Sequence, residues 1–595
     1  MEPVSNDSQP PASSRTSAPV PASDPQTLRA FAELLRRAAP FDSHAAPLWD
    51  SHAQAALERS NAAPAIVQVQ ARVSAGAVAA PEAVLALLFL LDRPVDAGLV
   101  AEACGPDLCA ALQADGWLIA TDALEPTSTP EPTHHLRAAL TITSFDGLLI
   151  AADWGTLTRE EPLAGDHVLG LGGAGRTLAA ITPRMPVDLA CDIGTGCGIQ
   201  ALLLAAHSER VIATDISARA LAIAELNAAL NGIANIEFRR GDMLEPIDEP
   251  VDLLVANPPF VITPQGETET FEYRDGGRPG DAIMAGLIAG IPQLLRPDGH
   301  AVLLGNWEYH FAGRHSADGP GAAGDVAAPE VPDAQVPNPQ LPDAQVPNSQ
   351  VLDAQAPAPV RWLDELSTPG SAAAETSLLL IERESLDPVA YAETWIRDGG
   401  VARMSQRWVR DTAAWLADFR SRGVERIGFG WIRLHRLPEP AGPAAESTHR
   451  RRAVHYRKES GPLAGDVASL AAVLDTRLAV LEWLAETDDE TLQATAFIRG
   501  QDLVEHRHHT PGEDQPHTIT YEQGTGFGRT ITADTALAGL LGVSDGSLDL
   551  ASISGALAQL LDVDPAALRT QLTAQVRQLL ADGFLFPVFD GANGE

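Results

Sequence analysis

Val187-Asp188-Leu189-Ala190-Cys191-Asp192-Ile193-Gly194-Thr195-Gly196-Cys197-Gly198 is the stretch on which the reading of this chain turns. Residues 187–191 form an apolar run of strand length, and three glycines at alternate positions follow it. A buried strand that enters such a run ends in a tight turn. Glycine alone takes left-handed backbone freely and lets a ligand approach the main chain. A second apolar run, residues 251–255, leads into Ala256-Asn257-Pro258-Pro259-Phe260. The paired prolines stiffen that loop and leave an amide at one end and an aromatic face at the other.

Outward from these two runs, strand and helix patterns alternate: 187–191, 200–206, 210–214, 218–230, 236–239, 251–256, 282–295 and 300–304. Such alternation implies an α/β fold with a mostly parallel sheet covered on both faces, Rossmann-like in class. Ligands of such sheets bind at the carboxyl ends of the strands, where the strand order reverses. The pattern breaks after Tyr309. Residues 315–360 are rich in Pro, Ala, Gln and Asp, and an imperfect ten-residue repeat runs through Val331-Pro332-Asp333-Ala334-Gln335 and Leu341-Pro342-Asp343-Ala344-Gln345. This segment is expected to be an extended surface insertion. The sheet is expected to resume at 375–382 and to end with 424–435.

On either side, two passages resemble each other. Leu112-Gln113-Ala114-Asp115-Gly116-Trp117-Leu118-Ile119 and Leu579-Leu580-Ala581-Asp582-Gly583-Phe584-Leu585-Phe586 each close a helix on Asp-Gly and enter a short apolar strand. The last helix and wing strand of a winged helix look like this, and two unrelated helix-turn-strand segments would look the same. The expected organisation is a disordered tail over 1–25, a helical winged-helix-like module over 26–130, and a catalytic domain over 131–437. A linker over 438–448 and a C-terminal domain over 449–595, winged-helix-like at its end, follow. Residues 136–154 read as a strand pair turning at Asp146-Gly147.

Composition sets bounds. The 595 residues carry a net charge of −38, which favours solubility and opposes non-specific attachment to nucleic acid. No apolar run approaches the roughly eighteen residues of a membrane span. Four cysteines, Cys104, Cys109, Cys191 and Cys197, make no disulfide framework, which points to the cytoplasm. His506, Arg507, His508 and His509 lack a Cys or acidic frame for zinc.

The candidate site residues fall at strand ends. Asp192 opens the turn formed by Gly194, Thr195, Gly196 and Gly198. Asp215 ends the next strand about twenty residues on, where an acid is placed to accept both hydroxyls of a ribose, and Ile216 follows it. Asp242 and Met243 end the third strand, the first placed to accept from a base amino group and the second to pack on the ring. Asn257, Pro258, Pro259 and Phe260 end the fourth. The glycine turn alone suits a nicotinamide dinucleotide equally well, but that reading leaves the Asn-Pro-Pro-Phe loop unexplained.

With both motifs in place, roughly residues 166–307 resemble the class I S-adenosylmethionine-dependent methyltransferases that carry an Asn-Pro-Pro-aromatic motif. The resemblance implies S-adenosylmethionine as cofactor, no metal, and transfer of a methyl group to a planar nitrogen. Two groups within that superfamily fit. Release-factor glutamine methyltransferases carry Asp-Ile-Gly-Thr-Gly-x-Gly, Asn-Pro-Pro-Tyr and a later Asp-Gly-Gly, matched here by Asp192–Gly198, Asn257–Phe260 and Asp275-Gly276-Gly277, with Phe260 in place of tyrosine. The amino-methyltransferases of RNA and DNA bases share Asn-Pro-Pro-Phe and often carry extra binding domains. The expected substrate is therefore a base amino group in RNA or DNA. A glutamine side chain of a translation protein such as a release factor is the alternative, and an inactive nucleic-acid-binding or regulatory protein is a third reading. Leu169-Gly170-Leu171-Gly172-Gly173-Ala174-Gly175 is expected to be a loop capping the cofactor or a plain loop. The basic run His449-Arg450-Arg451-Arg452, with His455, Arg457 and Lys458, reads as a nucleic-acid contact or a solvated linker edge.

Overall fold

A computed structural model of the chain describes residues 17–588 apart from 39–40, 42–47, 60, 75–80, 122–133, 156, 159–162, 265–276, 312–355, 440–450 and 466–469. Most of the repeat-bearing insertion, the Asp275-Gly276 pair and most of the linker therefore lie outside the described residues.

Eight strands form the central sheet: β1 (Val187–Ile193), β2 (Ser208–Asp215), β3 (Ile236–Arg240), β4 (Val251–Ala256), β5 (Leu295–His310), β6 (Thr376–Leu386), β7 (Val424–Arg436) and β8 (Val454–Lys458). Their spatial order is β8-β6-β7-β5-β4-β1-β2-β3. Only β7 runs against its neighbours, so the sheet is mostly parallel, as its near-continuous apolar runs require. The chain enters at β1, moves outward to β3, and returns to β4 on the other side of β1. The strand order therefore reverses between β1 and β4.

Alternate residues of each strand face opposite layers. On β5, Val302 and Leu304 pack with Leu178 and Ile181 of helix α1 (Gly173–Ile181), beside α2 (Ile199–Leu204). Ala301 and Leu303 pack with Leu287, Ile288 and Ile291 of helix α4 (Ala282–Leu294) on the other face. Helix α3 (Ala218–Asn231) starts at an N-cap, Ser217, whose hydroxyl accepts from the Ala220 N–H, and stops at Gly232 in the left-handed conformation.

Several expectations need correction. The sheet does not end at His435: β8 adds to β6 in parallel register, Leu378 opposite Val454 and Glu382 opposite Lys458. Leu470, Leu474 and Leu478 of helix α7 (Leu470–Glu486) then cover the sheet beside Leu379, Ile381 and Trp431. The insertion ends earlier than residue 360, because Ala358 and Val360 are buried in a helix, Ala358–Glu365, packed on the α4 side. The tail is held from residue 17 onward. Ser17 donates through both N–H and hydroxyl to Asp166 at 2.9 Å, and the Ala22 N–H donates to the Asp115 carbonyl at 2.8 Å. Among the described members of the basic run, Arg452 pairs with Asp364, Arg457 with Asp582 and the exposed Lys458 with Glu382.

On the N-terminal side lie a helix (Pro81–Phe89), a strand (Val95–Asp96), helices Ala97–Cys104 and Pro106–Ala114, and strands Leu118–Thr121 and His135–Ala138. The last of these is the middle strand of a three-stranded antiparallel sheet. On the C-terminal side, helix Thr535–Val543, strand Asp545–Asp549, helices Leu550–Leu561 and Pro565–Asp582, and strand Leu585–Pro587 follow the same succession. There the middle strand comes from upstream, Ala496–Arg499.

The strand pair expected at Asp146-Gly147 is present as Thr141–Phe145 and Leu148–Ala152, with positive φ at both turn residues. It docks on α3 by an unusual match. Asn227 and Asn231 lie one helical turn apart, about 6 Å along the axis, close to the roughly 6.8 Å between alternate residues of a strand. Asn227 accepts from the Ala151 N–H at 2.8 Å and donates to its carbonyl at 2.9 Å. Asn231 does the same with Leu149 at 2.9 and 2.7 Å. Asn227 also donates to the Cys197 carbonyl inside the glycine turn at 2.8 Å, which ties this pair to the site. Asn227→Ala should strip three buried main-chain groups of their partner and cost about 3 kcal/mol of stability. A lowered denaturation midpoint would be the readout, and an unchanged one would refute the coupling.

Candidate active site

Both motifs meet at the point of strand reversal. Ile193 pairs with Ala256 across β1 and β4, so Gly194 and Asn257 leave adjacent strands side by side. A Cβ placed on Gly194 would lie 3.8 Å from the Asn257 carbonyl oxygen. Gly194, Gly196 and Gly198 all have positive φ, at 67°, 55° and 89°. At Gly198 a side chain is also excluded by packing, since its Cβ would sit 2.9 Å from that of Ala224 on α3.

The turn is held from below by Asp192. Its carboxylate, 1% exposed, accepts from the Thr195 hydroxyl at 2.5 Å and from the Ala201 N–H at 3.0 Å. Burial pushes its pKa up to about 7. From the side, Asp215 holds the turn: one oxygen accepts from the Gly196 N–H and the other from the Ser217 N–H, both at 2.9 Å.

A single cleft runs along these strand ends. Asp192, Gly194, Thr195, Gly196, Asp215, Ile216, Met243, Asn257 and Pro259 line it, and the segment 167–175 forms the facing wall. Ile216 is 56% exposed in that cleft, an apolar side chain left without cover. Of the glycine-rich segment expected to be a loop, Leu169 to Gly172 are one and line the cleft, while residues 173–175 begin helix α1, with Gly172 as its N-cap. Arg219 and Asp153, paired at 2.6 Å, support this wall, and Asp153 accepts from the Val168 N–H at 2.9 Å.

Other expected residues lie differently. Asp242 does not line the cleft but pairs with Arg278 at 2.6 Å, while Met243, in left-handed backbone at φ 49°, does line it. The Pro258 and Phe260 side chains are outside the lining. The Phe260 ring packs 5.4 Å from Phe429 of β7 and 6.4 Å from Trp395 of helix α5 (Pro388–Asp398), centroid to centroid. The backbone just after it is clamped, because the Ile262 N–H donates to the Tyr391 hydroxyl at 3.0 Å and the Asn306 amide donates to the same oxygen at 2.6 Å. Sequence reading missed Tyr391, Trp395, Asn306 and Phe429, which come from remote segments and carry no local signature. Asn227 and Asn231 carried one, their spacing of four on a helix.

Residues 176–307 match the family model described as the methyltransferase small domain. Over 134 residues the chain is 37% identical to a release factor glutamine methyltransferase of Xylella fastidiosa, which is 21% of this chain and 48% of that one. Residues 176–307 are a class I S-adenosylmethionine-dependent methyltransferase domain. A ribosomal protein L11 methyltransferase of Lactobacillus delbrueckii subsp. bulgaricus is 48% identical over 69 residues, 11% of this chain and 21% of that one. A solved structure of an L11 methylase from the same organism aligns over 23% of this chain and 63% of that one, at 30% identity and a TM-score of 0.18. The chain spans about half the length of the first curated relative it matches.

The cleft of the methyltransferase domain fits this cofactor by a direct test. The Asn257 Oδ1 is buried and has no hydrogen-bond partner among the described residues. The open side of Gly196 and the carboxylate of Asp215 face the same cleft. A small polar ligand with an apolar ring fits these groups. Among the described residues no group of three or more His, Cys, Asp or Glu could hold a metal, and no helix is long and apolar enough to cross a membrane.

The raised pKa of Asp192 has a consequence for stability. A carboxyl whose folded pKa lies above its unfolded value contributes stability fully below about pH 4, and that contribution is lost as pH rises through the folded value near 7. Asp192→Asn should remove this loss. Denaturation midpoints at pH 5 and 8 should differ more for the wild type than for the variant, and equal differences would refute it.

Proposed function

We propose that this chain is an N-methyltransferase that moves the methyl group of S-adenosylmethionine to a planar amino or amide nitrogen, most specifically a base amino group of RNA or DNA. The observation that carries the reading is the buried, unpartnered Oδ1 of Asn257 at the strand-reversal point, beside a glycine turn built to admit a ligand. In this reading Asp215 holds the ribose hydroxyls, Ile216 and Met243 flank the adenine, and Gly194, Thr195, Gly196 and Gly198 receive the amino-acid end. Asp192 keeps the turn in shape from beneath. Asp242 acts at one remove, through Arg278.

Bound there, the cofactor supplies an electrophilic methyl group on a sulfonium. The chain's part is to make a poor nucleophile ready. An amide or base amino nitrogen has a delocalised lone pair. Acceptance of its two hydrogens by the Asn257 side chain and the Pro258 carbonyl draws that pair out of the plane. As the nitrogen takes the methyl group and gains positive charge, the Asn257 side chain and the Pro258 carbonyl would hold its hydrogens more strongly, and the surplus proton would pass to water. Phe260, set between Phe429 and Trp395, walls the place where a flat group enters.

Two further observations bear on substrate. The succession helix, strand, two helices and two strands in the N-terminal module, with the last strand in the middle, supports a winged-helix reading, and the C-terminal module follows it with a borrowed middle strand. Similarity to a release factor glutamine methyltransferase favours the second reading, a protein glutamine as acceptor.

The test joins binding and turnover. Asp215→Ala should weaken S-adenosylmethionine binding by about ten- to a hundredfold, the scale of lost charge-assisted hydrogen bonds. Asn257→Ala should lower kcat by at least about a hundredfold, with a much smaller change in cofactor affinity. Mass spectrometry of nucleosides and of release-factor peptides after reaction identifies the acceptor. Normal turnover by Asn257→Ala on that acceptor would overturn the assignment.

A further inference from the structure

Between β6 and β7 the chain inserts two helices, α5 and then α6 (Gln406–Arg422). Their inner faces are fixed to the acceptor mouth. Tyr391, Ala392 and Ile396 of α5 and Trp408, Trp415 and Phe419 of α6 share one apolar cluster with Val261 and Ile262, and Phe260 packs against it. At the end of the pair where α5 runs into α6, Trp395 lies 6.4 Å from the Phe260 ring, and Val401 of the following loop packs on the same cluster.

Charge on that end is out of keeping with the chain. Residues 396–411 hold Arg397, Arg403, Arg407 and Arg410 against Asp398 and Asp411, a net of +2 on a chain of −38. Arg397, Arg403 and Arg410 are exposed. Arg407 and Arg410 both pair with Asp411, at 3.3 and 3.2 Å. Arg397 and Arg403 have no ion-pair partner among the described residues, whereas Arg452, Arg457, Arg433 and Arg477 are spent on internal pairs. At the loop tip, Met404 is 78% exposed in left-handed backbone at φ 64°, and Val409 is 58% exposed. Left-handed backbone is uncommon for a side chain of this kind, and strained loop tips gather at functional sites.

Resting on the N-methyltransferase reading and deepening it, we infer that this arginine-bearing end of the α5–α6 pair is a phosphate-binding surface that leads a nucleic-acid strand to the mouth at Phe260. Guanidiniums suit phosphodiesters, which they grip by paired hydrogen bonds and charge. Exposed Met404 and Val409, set among them, offer the apolar contact that an unstacked base takes, and the rings of Trp395, Phe260 and Phe429 continue that surface inward. The two winged-helix-like modules do not offer an equal grip. Helix Pro106–Ala114 carries no basic residue, and helix Pro565–Asp582 carries two, Arg569 and Arg577, of which Arg577 is paired with Asp489. A glutamine-bearing protein loop has no use for four guanidiniums. The overall negative field opposes non-specific attachment of the polyanion to most of the surface.

The test uses the full chain without cofactor, so it reads the surface apart from methyl transfer. Binding of a mixed-sequence 16-nucleotide single-stranded RNA, and of DNA of the same sequence, is followed by fluorescence anisotropy from about 50 to 200 mM salt. Binding of one or both should weaken as salt rises, with a slope of about 0.7 per phosphate contacted. The double variant Arg397→Gln, Arg403→Gln, at exposed positions that carry no packing, should bind about tenfold more weakly and with a slope smaller by about 1.4, two contacts' worth. Preference for RNA over DNA, or the reverse, names the source of the strand. Salt-insensitive binding of either oligonucleotide, or a double variant that binds like the wild type, overturns the proposal. So does tighter binding of a glutamine-containing release-factor peptide than of either oligonucleotide. If Asn257→Ala turned over normally while the arginine variant still lost binding, the catalytic assignment alone would fall.

Discussion

The pairing of Ile193 with Ala256 is the constraint on which the rest depends. Parallel strands cannot be joined by a short turn, so β1 and β4 are brought together only by way of β2, β3 and their helices. That detour makes them neighbours whose onward chains leave in opposite senses, and the gap between those departures is the cleft. Everything polar at the site answers to this gap. Asp192 fixes the floor, Asp215 ties the next strand's end to the glycine turn, and Asn257 points an acceptor oxygen there with no partner among the described residues. A slip of two residues in this one register would separate the turn from the amide by more than 6 Å, about two strand steps.

Much of this was legible in the sequence because it is local. Apolar runs of strand length, glycines immediately after one and prolines after another, gave β1, β4 and both motifs their places, and β2, β3, β6 and β7 fall within a few residues of expectation. What escaped was assembled at long range. Tyr391 reads as an ordinary apolar-face residue of a helix, and only the fold puts its hydroxyl on the Ile262 N–H. Phe260 was read as a platform facing the ligand, yet its ring lies against Phe429 and Trp395, rings that its own neighbourhood gave no sign of.

Charge misled in the other direction. On a chain so acidic, the run around Arg452 and Arg457 drew notice because its cations are consecutive. The fold sets an acid beside each of the two: Asp364 for Arg452, just before β8, and Asp582 for Arg457 within it. Cations spaced around a loop and a helix start draw less notice, yet Arg397 and Arg403 face water with no ion-pair partner among the described residues. Density along the sequence is therefore a poor guide to free charge; the number of acids within reach decides it.

Helix α7 and strand β8 bear on how the molecule comes into being. Synthesis is vectorial, and β1 to β5 leave the ribosome long before residue 486 does. Until then the sheet face of Val302, Leu379, Ile381 and Trp431 has no cover beyond α1. The nascent chain must carry first a five-stranded and then a six-stranded sheet, half-clothed, through the translation of the long insertion and the α5–α6 pair. In a cell, that interval is when chaperones would find the most to hold.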